Sequence, residues 1–288
     1  MSPSDAPDHL AQLSALVSLI DDESPRVRAT CHEALVRLGP LALPALREAA
    51  RTAGAPSRRA AARALAGELA FDAALQELRL AQRRGEPLLE HGICALALLV
   101  DPLFERAQLE EALDLHAAML RARLSPGAPL ARCVQLLARY VHGDLGIRGN
   151  QEQYYDPRNS FVNEVLRRKL GIPISIAAIY LLLARRLGLP LEGFGVPAHF
   201  LLGYLADERR CFVDAFHAGQ ALSPRQVEDA ARGQGFELDA QTIAPATDTD
   251  ILVRMTNNLR RIFEQEDPRG WKPSVERLRE LLLHAEAS

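Results

Sequence analysis

The chain has 288 residues, 48% of them hydrophobic and 25% charged, with a formal net charge of -3. That is enough chain for a substantial core, in one large domain or two ordinary ones, and the near-neutral balance gives no electrostatic reason to expect nucleic acid or an anionic membrane as partner. Aromatic residues make up only 5%, while Ala and Leu are abundant, which favours helix over sheet.

The opening "MSPSDAPDHL" has no basic stretch followed by an apolar run, so no secretory leader is expected. No apolar run approaches the ~18 residues of a membrane-spanning helix. Cys31, Cys94, Cys133 and Cys211 are scattered, and no pair has metal-ligand spacing. Each reads as a buried, inert thiol, and reduced thiols in a soluble chain point to the cytoplasm.

The first segment is predicted as a helical repeat. "DDESPRVRATCHEALVRLGP" places Val27, Ala34, Leu35 and Leu38 on one helical face, and Gly39-Pro40 ends that helix and starts "LALPALREAA". The pattern returns in "GAPSRRAAARALAGELA", with Pro25 and Pro56 separated by 31 residues. Paired helices at that period, with Pro at the turns, resemble HEAT-type repeats, and a segment over 1–72 is expected either to dock a partner or to pack as an extra helical subdomain.

The reading stays helical from about Leu75 to Tyr140. "PLLEHGICALALLVDP", "RAQLEEALDLHAAMLRARL" and "PLARCVQLLARYVHGDLG" are apolar at helical spacing, with Ser125-Pro126-Gly127 as a break. A polar loop, "NQEQYYDPRNS", then leads into a short helix "FVNEVLRRKL", for which Asn159 or Ser160 is the expected N-cap. Gly171-Ile172-Pro173 turns the chain into "SIAAIYLLLARRLG", a strongly apolar helix with Ser175 as its expected N-cap.

After that helix the pattern shortens. "LEGFGV", "HFLLGYL" and "RCFVDAF" read as strands, the last two as an antiparallel hairpin. "LSPRQVEDAARGQG" reads as a helix, with Ser223 at the N-cap, Pro224 behind it and a Gly stop. "TDTDILVRMTNNLRRIFEQED" and "PSVERLRELLLHAEAS" form an expected terminal helical hairpin over 246–288. The fold class is therefore α+β and mostly helical, with a small antiparallel sheet held in a helical shell.

Three residues have the chemistry and order of a triad: Ser175 at a helix start, His199 opening one strand and Asp214 in the next. Each also has a purely structural reading. A serine at a helix start stabilises the helix by about 1 kcal/mol without doing chemistry. A lone histidine on a half-buried strand is more often structural than catalytic. Asp214, however, interrupts the apolar "FVDAF" and needs a partner if it is buried. His199 is the obvious one, and a carboxylate against its Nδ1 would fix the imidazole tautomer.

In the preceding loop, Tyr154 and Tyr155 are candidates to line a cleft beside Ser175 and His199, together with Asn159 and Asn163, although the loop's small polar residues suit turns and caps equally well. His217 falls near the end of the Asp214 strand, where a surface histidine is expected, and no metal site is assigned.

The stretch "RGNQEQYYDPRNSFVNEVLRRKLGIPISIAAIYLLLARRLGLPLEGFGVPAHFLLGY", followed by "FVDAF", resembles the SirB family of transglutaminase-like proteins, bacterial proteins whose module also occurs in a eukaryotic F-box protein. The likeness covers roughly Pro87 to Leu222, and the terminal hairpin weakly. It implies a papain- or transglutaminase-like core over 73–245, with His199 and Asp214 where a transglutaminase keeps its base and carboxylate. It also implies a remnant of tetratricopeptide-like repeats over 246–288.

The nucleophile position carries no cysteine; Ser175 is the nearest hydroxyl. The expected function is accordingly a non-catalytic peptide- or protein-binding, regulatory protein with a protein or peptide partner and no cofactor. The alternative is a serine-dependent amide hydrolase or acyltransferase using Ser175, His199 and Asp214.

Overall fold

The computed structural model describes residues 6–265, 267 and 269–284. The first five residues, on which the leader reading partly rests, and the last four of the C-terminal hairpin segment lie outside them. The chain divides into two compact units, residues 1–80 with 98–104 and residues 81–97 with 105–288.

In the first unit, α1 (Ala6–Ser18), α2 (Pro25–Leu38), α3 (Leu43–Thr52) and most of α4 (Pro56–Arg84) follow one another through short turns. Pro25 and Pro56, the repeating prolines, each stand at the first position of a helix, where the missing N–H is no loss. Leu35 is fully buried and Cys31 nearly so, with Val27, Ala34 and Leu38 half-buried beside them, which is the expected face. The expected domain limit at 72 falls inside the unbroken α4.

The second unit contains most of α5 (Leu89–Val100), then α6 (Arg106–Arg121) and α7 (Leu130–Arg139). A π-helical turn over Tyr140–Asp144 follows α7. Next come a two-residue strand β1 (Arg148–Gly149), α8 (Val162–Arg168) and β2 (Leu170–Gly171), which pairs parallel to β1. Helix α9 (Pro173–Leu187) is buried at every position from Pro173 to Ala184. A helix apolar on all sides belongs at the centre of a core, and α9 packs against both the sheet and the surrounding helices.

The sheet consists of β3 (Glu192–Val196), β4 (His199–Ala206), β5 (Arg209–Asp214) and β6 (Gln220–Leu222), antiparallel throughout and in that order. The β3–β4 turn is Pro197-Ala198, which brings Val196 opposite His199. The β4–β5 turn is Asp207-Glu208, both residues at positive φ as a tight two-residue hairpin requires. Helices α10 (Pro224–Gly233), α11 (Asp248–Phe263) and α12 (Lys272–His284) complete the unit, with α11 and α12 packed together as a hairpin. This mostly helical α+β architecture is the expected class. Strand β6, the parallel β1–β2 pair and the π-helical turn are too short to leave a periodic signal.

Two local expectations shift. The helix expected to be capped by Ser175 is capped three residues earlier: Ile172 is extended at the N-cap, Pro173 fixes the first turn, and Ser175 sits inside it. The short helix before it is capped at Phe161, because Asn159 and Ser160 are consumed by a preceding 3-10 turn whose own cap is Asp156. Ser223 does cap α10, accepting from the Gln226 N–H. Of the four cysteines, Cys31, Cys94 and Cys133 are buried as expected, but Cys211 is only half-buried. No helix among the described residues is long and apolar enough to cross a membrane.

Candidate functional site

Asp214 ends β5 with 6% of its surface exposed, and four donors hold it. Its Oδ1 accepts from the backbone N–H groups of Phe216 (3.0 Å) and His217 (3.1 Å). Its Oδ2 meets His199 Nε2 at 2.9 Å and His217 Nδ1 at 2.8 Å. Burial alone would push this carboxyl up. The hydrogen bonds and charge of His199, with those of His217, more than reverse that and hold it at about 2.

His199 and Asp214 therefore meet, but not through the expected nitrogen. The carboxylate takes Nε2, which leaves Nδ1 as the imidazole nitrogen without a hydrogen-bond partner among the described residues. His217, expected as a bystander, is a second direct partner of Asp214 while remaining half exposed. One ligand atom from each of His199, Asp214 and His217 lies within 4.8 Å of the others.

Ser175 is fully buried. Its Oγ accepts from the Ile172 N–H at 3.1 Å and lies 2.6 Å from the Asn159 carbonyl, to which it donates. The hydroxyl thus closes the first turn of α9 and ties it to the loop before α8. It makes no hydrogen bond to His199.

A cleft of about 270 Å³ opens beside His199. One wall is the β3–β4 turn at Ala198, His199 and Phe200, and another is the start of α9 at Ile172, Pro173 and Ile174. Tyr154 and Tyr155 form the third wall, set edge-to-face at 5.4 Å, and Tyr154 continues edge-to-face onto Phe216 at 6.0 Å. Phe216 in turn meets the His199 ring at 6.2 Å.

The expected cleft residues thus divide. Tyr154 and Tyr155 line the cleft, whereas Asn159 and Asn163 do not. Asn159 is fully buried, and its amide is spent inside the loop. Its Nδ2 donates to the carbonyls of Gln153 (2.7 Å) and Tyr154 (3.2 Å), and its Oδ1 accepts from Asn150 (3.1 Å). Asn163 lies on α8, with its Oδ1 buried and without a hydrogen-bond partner among the described residues.

The fourth wall was missed in the sequence. Arg254, Asn258, Arg261 and Ile262 of α11 face the cleft at helical spacings of four, three and one. Arg254 Nη2 donates to the carbonyls of His199 (2.8 Å) and Val196 (3.1 Å), clamping the β3–β4 turn, and its guanidinium lies 5.8 Å from the Phe200 ring centroid. Partial burial lowers its pKa, with Tyr154 opposing. The start of α11 is itself anchored. Asp248 accepts from the N–H groups of Leu88 (2.8 Å) and Leu89 (3.0 Å) and pairs with Arg185 of α9. The polar stripe in "RMTNNLRR" was readable as one helix face, but nothing local shows that it returns to His199, 55 residues earlier.

A family model described as the transglutaminase-like superfamily matches residues 107–257. Among curated proteins, the chain is 41% identical over 135 residues to a UPF0162 protein of Xylella fastidiosa, covering 45% of this chain and 48% of the relative. It is 29% identical over 163 residues to a UPF0162 protein of Pseudomonas aeruginosa, covering 56% and 59%. Human F-box only protein 21 is 31% identical over 150 residues, 49% of this chain and 23% of that protein. The match therefore spans about half the length of these bacterial relatives and less than a quarter of the F-box protein. No solved structure matches the chain significantly.

Proposed function

The chain belongs to the transglutaminase-like superfamily, and from that premise we propose that it binds a peptide or protein segment in the cleft beside His199 without a nucleophile of its own. Within the superfamily we place it with the SirB type, in a regulatory role. The helical segment that begins the chain, with its HEAT-like period, serves as a second docking surface. A cytoplasmic setting fits cysteines that stand as thiols.

One observation carries the reading: among the described residues lining the cleft there is no cysteine, serine or threonine. The base and carboxylate stand together, yet among the described lining residues there is no thiol or aliphatic hydroxyl, the only hydroxyls being the phenols of Tyr154 and Tyr155. Covalent catalysis needs the nucleophile within hydrogen-bond reach of its base. The Tyr154–Tyr155 wall and the free Nδ1 of His199 offer what a bound segment uses: aromatic surface and a polar contact.

The test is photo-crosslinking of the full chain in a cell extract, followed by affinity measurement on the captured segment. The His199→Ala protein should bind that segment more weakly than wild type. Robust turnover of any amide or ester by the purified protein would overturn the reading.

The 2.9 Å His199–Asp214 contact also suits the second reading, a serine-dependent hydrolase or acyltransferase. That reading requires Ser175 Oγ to leave the Asn159 carbonyl and reach His199. A fluorophosphonate probe that labels the wild type at Ser175, and not Ser175→Ala, would establish it.

A further inference from the structure

We propose that the segment bound in the His199 cleft is acidic: a carboxylate side chain seated between Arg254 and Arg261, with an apolar neighbour on the floor of the cleft. This rests on the peptide-binding reading and adds the chemistry of the ligand.

The first argument is charge. Two guanidinium groups line one wall, and the described lining contains no carboxylate. Neither Arg254 nor Arg261 has an acidic partner among the described residues, whereas their neighbour Arg260 pairs with Glu276. Arg254 is held in place by two backbone carbonyls and the Phe200 ring, which fix its orientation without supplying a counter-charge. Asp214, the acid that holds His199, is already engaged through both oxygens by four donors. A guanidinium fixed in this way, with a second about two turns further along the same helix, matches the two oxygens of a carboxylate. The first turn of α9 opens on the same space and adds positive potential.

The second argument is shape. Ile172, Ile174, Phe200 and Ile262 give the cleft an apolar floor, and the tyrosines give it an aromatic side. A volume of about 270 Å³ is at the small end for ligand pockets and suits one or two side chains rather than a large cofactor. A phosphate group would ordinarily be cradled by a run of backbone N–H groups, whereas here Pro173 removes one from the helix start. The arrangement fits an acidic residue next to an apolar one in an extended chain.

The test is a positional-scanning library of N-acetylated, C-terminally amidated heptapeptides, applied to the full-length protein and read by retention and then by fluorescence anisotropy of the retained peptides. Wild type should select Asp or Glu at one position, and the Asn or Gln counterpart should bind about tenfold more weakly. Arg261→Gln should lose that preference. Its side chain is exposed and makes no ion pair among the described residues, so its fold should be unchanged, with the fluorescence of Trp271 as the check. Arg254→Lys, which retains the charge but not the fork, should bind the acidic peptide less well while keeping the same selected position. Retention of peptides without acidic preference would overturn this inference and leave peptide binding standing. No retention of any peptide by wild type would overturn both.

Discussion

Asp214 titrates at about 2 in the folded protein, against an ordinary carboxylate value of 3.8. A depressed carboxylate stabilises the fold above its unfolded pKa and loses that contribution as the pH falls through its folded value. At 1.36 kcal/mol per pKa unit, the lowering is worth about 2 kcal/mol at pH 5, of which about 1 kcal/mol is lost by pH 3. Asp214→Asn removes the charge while keeping an oxygen for the Phe216 and His217 N–H groups. The difference in stability between wild type and variant should therefore be about 2 kcal/mol at pH 5 and should shrink by about half at pH 3. Trp271 is the chain's single tryptophan and lies against Phe161 and Phe263 in the unit that holds Asp214. Its fluorescence during urea unfolding thus reports that unit and not the other. A difference that stays constant from pH 5 to pH 3 would show that Asp214 is not held by its histidines as described.

Two further perturbations test the supports of the cleft. A Cβ at Gly149 would come within 2.6 Å of the Phe216 ring and 2.7 Å of its carbonyl oxygen, a clash that a ring rotation cannot relieve. Gly149→Ala should therefore cost roughly 2 kcal/mol by the same fluorescence assay, whereas Gly143→Ala, where nothing lies within 4 Å, should cost much less. Asp248→Asn removes the charge that receives the Leu88 and Leu89 N–H groups and Arg185. Amide exchange at Leu88 and Leu89 should speed up, and unchanged exchange would show that the anchor is not needed. Since these contacts lower the Asp248 pKa, against its burial, the anchor should also weaken as the pH falls below the carboxylate range in wild type.

What the sequence made legible follows from the range of each interaction. His199 and Asp214 stand out because each is a polar residue on an apolar strand, and a buried carboxylate must have a partner. The β4–β5 hairpin and the capped α10 are local, and their turn and cap residues state them directly. Ser175 stands three positions inside the cap expected for it because Pro173 sets the helix start more firmly than a serine does. Asn159 looked like a cleft residue because its amide is polar and the loop is exposed in sequence terms. Only the folded loop shows that Asn150, Gln153 and Tyr154 use that amide up. Arg254 and Arg261 belong to a helix read as part of a separate hairpin. Their place in the cleft is set by tertiary packing of α11 on α9, for which no local pattern exists.

The same geometry gives the hydroxyl at the start of α9 a structural use. Ser175 Oγ holds the Asn159 carbonyl, and Asn159 Nδ2 holds the carbonyl of Tyr154, which lines the cleft. The residue at the helix start is thus the first link of a chain of hydrogen bonds that reaches the tyrosine wall. A thiol here would be as buried as the hydroxyl it replaced, and a thiol is a poorer donor to the Asn159 carbonyl. Ser175→Cys should consequently give a thiol that iodoacetamide does not modify at pH 7, when the native fold is intact and peptides are mapped by mass spectrometry. The half-buried Cys211 should be modified first. The loop carrying Tyr154 should become more susceptible to limited proteolysis in the same variant, because its tie to α9 is weakened. Rapid alkylation of the introduced thiol, with a pH profile showing a thiolate well below the ordinary value of about 8.5, would mean instead that His199 can activate a group at this position. The non-catalytic reading of the cleft would then fall.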